Sequence, residues 1–343
     1  VVDGAAALRL AGVEPIALGP KEGLALLNGT HLMASIGALA LTEAERLFAA
    51  AQVAAAMSVD ALLGSSAPFD ERLQALRHRP RQTAVAARLR ELLEGSELRA
   101  SHLDCDRVQD AYTLRCIPQV LGAVRDTLDH CATVVERELN SSNDNPLFFD
   151  DGALFHGGNF HGQQVAFAMD FLAIAATQLG VMAERRLNRL LSPHLNNRLP
   201  AFLAAANEGL SCGFAGAQYP ATALVAENRT ICSPASIQSV PSNGDNQDVV
   251  SMGLISARNA RRILDNNQYI LALELLAACQ AAELAGAVER LSPAGRAMFA
   301  FVREHVPFLD ADRYMTDEIE RVAALLRDGA LVEVVRRVGV ELA

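Results

Sequence analysis

Apolar residues recur at three- and four-residue spacing over most of this chain, and few stretches alternate. Val120, Leu121, Val124, Leu128 and Cys131 mark one face of a helix running from about 118 to 139. A second helix, from about 162 to 190, is apolar nearly all round through its middle, as expected of an element surrounded by other helices. Thr42-Glu43-Ala44-Glu45 has the form of a capping box and predicts the start of a long apolar helix, which Gly64-Ser65-Ser66-Ala67-Pro68 stops. Shorter helices over 69–78 and 81–94 flank Pro80, and a long one runs from Gln247 to about Leu284. Two amphipathic helices follow near 292–304 and 315–327. The interval 192–246, rich in Pro, Gly and Asn, holds at most short helices, one of them near 219–227. Strand signal is confined to runs such as Ala153-Leu154-Phe155 beside Asp150-Asp151-Gly152, enough for one small hairpin.

Composition points the same way. Of 343 residues, 51% are hydrophobic but only 5% aromatic, which favours packed helices over a β-sandwich. Length alone allows two domains; with no repeat, low-complexity tract or flexible linker, residues 1–343 read as one all-α long-helix bundle with C-terminal helices. A net charge of −10 argues against a nucleic acid or an anionic membrane surface as partner. Cys105, Cys116, Cys131, Cys212, Cys232 and Cys279 form no C-x-x-C pair, so a reduced, cytoplasmic protein without structural zinc is expected. Asp170 and Glu184 bound the apolar stretch 171–183, too short for a membrane span. Val1-Val2-Asp3-Gly4 carries neither initiator Met nor signal core and reads like the middle of a longer protein.

Five polar segments interrupt the helices. Gln109, Tyr112 and Arg115 stand at i, i+3 and i+6, so on a helical turn an amide, a phenol and a guanidinium share one side. A guanidinium holds a carboxylate through two parallel hydrogen bonds and a phenol passes a proton, which suits an amino or keto acid; a solvated helix face fits the spacing equally. Asn28-Gly29 reads first as a turn, and Asn143-Asp144-Asn145-Pro146 as Asx turns. His156-Gly157-Gly158-Asn159-Phe160-His161 lets backbone approach closely, and its two histidines lack a third metal ligand. In Asn243-Gly244-Asp245-Asn246-Gln247-Asp248, Asp245 or Asn246 serves as a helix cap. No phosphate loop, dinucleotide fingerprint or nucleophile elbow is present.

Taken in order, 21–30, 109–115, Ser142-Asn143-Asp144-Asn145-Pro146-Leu147, Gly157-Gly158-Asn159-Phe160 and Asn246-Gln247-Asp248-Val249-Val250-Ser251-Met252-Gly253 strongly resemble the aromatic amino acid ammonia-lyases and aminomutases. The resemblance spans the chain from Asp3 to the last helices. It implies a fold of the fumarase/aspartase-like superfamily and non-oxidative deamination of an aromatic L-amino acid to the α,β-unsaturated acid and ammonia. It also implies a methylidene-imidazolone electrophile made from an internal Ala-Ser-Gly, with no metal or nucleotide. That tripeptide is absent from these 343 residues; Ala34-Ser35-Ile36-Gly37 carries an extra residue. The chain is therefore expected to lie downstream of it, with a companion segment carrying the electrophile and the catalytic tyrosine base.

Carried over by the resemblance, Arg115 clamps the substrate carboxylate, and Tyr112 sits by the electrophile. Asn28 and Gln109 hydrogen-bond the ring or the substrate's polar end. Asn145 faces the carboxylate side, Phe160 packs against the electrophile, and Gln247 lines the substrate pocket. Helix starts near Gly162 and Gln247 are expected to aim their positive ends at the site. Histidine-specific members usually carry glutamate where Gln247 stands, so tyrosine is favoured slightly over phenylalanine, and both over histidine. A 2,3-aminomutase and a non-catalytic scaffold lending residues to another chain's site are the alternatives. A homotetramer with sites shared between subunits is also implied.

Overall fold

The computed structural model describes residues 1–101, 108–197, 199–205 and 209–342. Two short helices, α1 (Gly4–Ala11) and α2 (Glu22–Leu27), lead into α3 (His31–Ala61), which is followed by α4 (Glu71–Ala75), α5 (Pro80–Leu93) and α6 (Glu97–Ala100). A single turn, α7 (Tyr112–Arg115), abuts α8 (Ile117–Leu139). The hairpin of β1 (Leu147–Phe148) and β2 (Leu154–Phe155) pairs Leu147 with Phe155. Then come α9 (Gln163–Leu191), α10 (Ala215–Ile231), α11 (Gly253–Leu284), α12 (Pro293–His305), α13 (Thr316–Arg327) and α14 (Ala330–Arg337).

Three long helices, α3, α9 and α11, run side by side in the same direction. Near their starts Gly37 packs on the Met169 sulfur, at mid-length the Asn267 amide donates to the Ala176 carbonyl at 2.7 Å, and further on Arg186 pairs with Glu274. Helix α8 runs the other way: Glu138 near its end bonds Thr30 at the start of α3, while Leu114 just before it packs beside Gly64, past the end of α3. Small side chains make such close packing possible. Ala50, Ala51, Ala54 and Ala55 are each at most 1% exposed, and a Cβ on Gly122 of α8 would stand 2.5 Å from the Gln82 Cα of α5.

Several expected boundaries move. Thr42 does not open a helix: it lies inside α3, where its hydroxyl donates to the Ala38 carbonyl at 3.0 Å, because the apolar pattern is already helical from His31. Helix α11 begins at Gly253, six positions after Gln247, with Met252 rather than Asp245 or Asn246 at its cap. Residues 242–247 instead close a tight turn through mutual Ser242 and Gln247 backbone bonds, with Asn243, Gly244 and Asp245 in the left-handed region. Helix α10 is longer than 219–227, and α1, α2 and α14 were absent from the pattern. Helix α9 is long and apolar enough to cross a membrane, more so than its bounding charges suggested. However, 72% of its most apolar stretch is buried inside the protein, and Asp170 accepts from the Ser236 amide at 2.9 Å.

Candidate active site

The predicted site residues fall into two groups at opposite ends of the bundle. Asn28, Asn145, Phe160 and Gln247 belong to the end where α3, α9 and α11 begin. Here a Cβ on Gly162, at the N-cap of α9, or on Gly253, the first residue of α11, would stand within 2.6 Å of the Met33 sulfur in the first turn of α3. Three N-terminal helix ends thus converge on Met33, and the positive ends of their dipoles meet there. Of the two helix starts expected to aim at the site, the one near Gly162 stands where it was expected, and the other falls at Gly253 rather than Gln247.

Side-chain bonds tie the loops of this end to one another. Asn28 is not the turn residue its Asn-Gly context suggested. Its backbone is extended, and its amide donates at 2.9 Å to Asp144, far along the chain, whose other oxygen pairs with Lys21. Bonding to Lys21 first, and then to Asn28, holds the Asp144 carboxyl down at about 2. The Asx-turn reading of Asn143 also fails, since its amide donates to the Thr30 hydroxyl, which donates in turn to Glu138. Gly29, at φ 84°, permits this contact, for a Cβ there would lie 2.8 Å from the Asn143 carbonyl oxygen. Asn145 accepts from the Gly157 amide at 2.9 Å, and the His161 ring meets the Val249 carbonyl at 3.3 Å. Those two contacts bring the Gly-Gly loop with its Phe160 to Asn145 on one side and to the Gln247 segment on the other. Gln247 itself is exposed and accepts from the Ser242 hydroxyl at 3.2 Å.

At the far end stand Gln109, Tyr112 and Arg115. Only the last two share a helical turn; Gln109 lies outside α7, before its start, and is exposed, so the three do not line one helix face. Tyr112 is 71% exposed, and the Arg115 guanidinium carbon lies 4.6 Å from its ring centroid. The Arg115 Nε is buried with no hydrogen-bond partner among the described residues. Two bonds anchor the segment: Asp110 accepts from the Ser65 amide just past α3, and the Thr113 hydroxyl donates to the Met182 carbonyl of α9 at 3.2 Å. Helix α3, with 31 residues, spans about 45 Å at 1.5 Å per residue, which sets the separation of the two groups within one chain.

Sequence reasoning missed Lys21, Thr30, Met33, Glu138 and the bonding role of Asp144. Lys21, Thr30 and Asp144 did lie inside quoted motifs, but an ion pair across 123 positions leaves no periodic signal. No group of three or more His, Cys, Asp or Glu that could hold a metal occurs among the described residues. Cys105 lies outside the described residues.

A bundle of long parallel and antiparallel helices carrying polar loops at both ends is the helical fumarase-like architecture, and comparison with known proteins makes the assignment specific. The aromatic amino acid lyase family matches residues 1–304, and the chain belongs to it. It is 70% identical to the tyrosine ammonia-lyase of Cupriavidus metallidurans over 98% of this chain and 66% of that protein. It is 52% identical to the MIO-dependent tyrosine 2,3-aminomutase of Streptomyces globisporus, again over 98% of this chain and 66% of that protein. A crystal structure of tyrosine aminomutase from Streptomyces globisporus superposes with a TM-score of 0.92 at 51% identity, covering all of this chain and 69% of the other. The chain thus spans 66% of the length of these curated relatives.

Proposed function

We propose that this chain is part of an enzyme that eliminates ammonia from an aromatic L-amino acid, tyrosine before phenylalanine, leaving the α,β-unsaturated acid. The observation that carries this is Arg115, a guanidinium laid over the Tyr112 ring with a buried Nε that has no partner among the described residues. A planar fork of N–H donors beside an accessible phenol suits a ligand with a carboxylate and a transferable proton. The Cupriavidus metallidurans relative, named a tyrosine ammonia-lyase, supports the reaction class.

One chain cannot close this site, because Asn28 and Gln247 stand a helix length away from Arg115. The proposal therefore includes further copies, packed so that the Arg115 end of one meets the Asn28 end of another, as in a homotetramer. An exposed apolar stripe on α9, with Phe167, Phe171 and Ile174 between 43% and 47% exposed, supports side-by-side packing of long helices. The five described cysteines carry no disulfide, which supports a reducing, cytoplasmic setting.

The name of the Streptomyces globisporus relative implies a methylidene-imidazolone group. The donor set at the Asn28 end fits it: an oriented amide with one N–H uncommitted, Phe160 for an apolar wall, and three helix N-termini. Once bound, the group supplies the electrophile that turns the substrate amine into a leaving group. Its Ala-Ser-Gly precursor is not among these residues, so the proposal places that precursor on a companion segment. Around it, Arg115 of one copy holds the carboxylate and Gln109 of that copy bonds the polar end, while Asn145 of a second copy lines the carboxylate side. Tyr112 handles a proton, while helix ends at Met33 stabilise negative charge as it develops. Gln247 gives a neutral amide where an imidazole would gain more from a carboxylate, which supports tyrosine over histidine.

The test is direct: the assembled enzyme is mixed separately with tyrosine, phenylalanine and histidine, and absorbance is followed. Coumarate should form fastest; rapid urocanate with slow coumarate would sink the substrate assignment. The 52% identity to an aminomutase favours a second reading, in which ammonia is returned to the β-carbon. A β-amino acid in the product mixture would support it. Intact mass of the purified enzyme checks for the companion segment, and its absence from an active preparation would refute that part.

A further inference from the structure

The Asn28 amide is bonded to a carboxylate, and that bond decides which of its atoms is committed. A carboxylate only accepts, so the atom of Asn28 facing Asp144 is Nδ2, at 2.9 Å, and Oδ1 is turned away. Asp144 is itself held in place. Lys21 pairs with its second oxygen, and the side chain of its chain neighbour Asn143 is fixed by Thr30 and Glu138. Gly29 against Asn143 then closes the gap between the two loops. Asp144 is only 9% exposed, so water competes little for the Asn28 donor.

Resting on the lyase reading above, we propose that Asp144, charge-balanced by Lys21, is a positioning residue that sets the sense of the Asn28 amide at the site. Without it the amide gains a second orientation, with donor and acceptor exchanged, and the productive one is populated only part of the time. Lys21 serves by keeping the carboxylate ionised and in place. The pair acts through Asn28 and touches no reacting atom.

If so, Asp144→Ala in the assembled enzyme lowers kcat about tenfold or more while KM for the amino acid changes less than about threefold. In an Asn28→Ala background the same substitution makes no further difference, because nothing is left to orient. Lys21→Met gives the same pattern at about threefold, and it carries the cycle alone if Asp144→Ala fails to fold. An equal loss in both backgrounds, or a change confined to KM, overturns the assignment. A crystal structure of the Asp144→Ala enzyme gives a readout independent of turnover: Asn28 should leave its rotamer or invert its amide, and an unmoved Asn28 also overturns the assignment. Failure of the unmodified enzyme to deaminate any aromatic amino acid refutes the lyase reading alone; the crystallographic comparison still decides the role of Asp144.

Discussion

Arg186 of α9 and Glu274 of α11 form a two-pronged ion pair, at 2.5 and 2.9 Å, with neither side chain more than 1% exposed. The Ser58 hydroxyl of α3 donates to the same carboxylate at 2.7 Å, so one charge joins all three parallel helices. Such a pair adds little net stability over apolar residues of equal volume, yet losing one partner strands the other charge. Glu274→Ala should cost about 3 to 5 kcal/mol. Replacing Arg186 and Glu274 together by Met and Leu should recover most of that loss. Urea unfolding measures both, and an additive double variant would contradict the account.

Close helix approach makes an equally sharp prediction at two glycines. Gly122→Ala drives a methyl against the α5 backbone at Gln82 and should cost about 1 to 3 kcal/mol. Gly216→Ala meets nothing within 4 Å in α10 and should be neutral or stabilise by up to about 1 kcal/mol. Thermal midpoints of the two variants, measured side by side, would expose an error in the α5–α8 packing.

Burial pushes the Asp60 carboxyl up from 3.8 to about 6, against hydrogen bonding from Ser96 at 2.8 Å and attraction by Arg99. A raised carboxyl binds its proton more tightly when folded, so its contribution is fully present below pH 4 and is lost as pH rises through 6. The shift corresponds to roughly 3 kcal/mol. Stability of Asp60→Asn relative to the parent should therefore increase from pH 4 to pH 7. A pH-independent difference in denaturation midpoints would refute it.

At the site, Arg115→Ala should cost on the order of 2 to 5 kcal/mol of substrate-state stabilisation if it clamps the carboxylate. Arg115→Lys should recover only part, since an ammonium lacks the planar fork. Steady-state kinetics on the assembled enzyme reads both, and unchanged turnover would remove Arg115 from the site.

Gln247→Glu tests substrate choice separately. Placing a carboxylate there should raise histidine turnover relative to tyrosine by about tenfold, the scale of one charge-assisted bond. An unchanged ratio would place the selection elsewhere.

Helical class, the span of α8 and α9, the hairpin at 147–155 and the motif set were all legible from residue order, because 3.6-residue periodicity and turn chemistry are local. Positions inside α3 misled, since Thr42-Glu43-Ala44-Glu45 has capping form wherever it stands, and only the packing of the preceding turns shows that the helix is already under way. Asn28 and Asn143 looked like turn residues because their partners, Asp144 and Thr30, lie more than a hundred positions away. What the sequence by itself determined is the family's residue inventory and a bundle of long apolar helices. Only the tertiary structure decided that Tyr112 and Arg115 lie a helix length from Asn28, and that the Asn28 amide is turned by Asp144. Both follow from long-range packing and charge pairing, which leave no periodic trace along the chain.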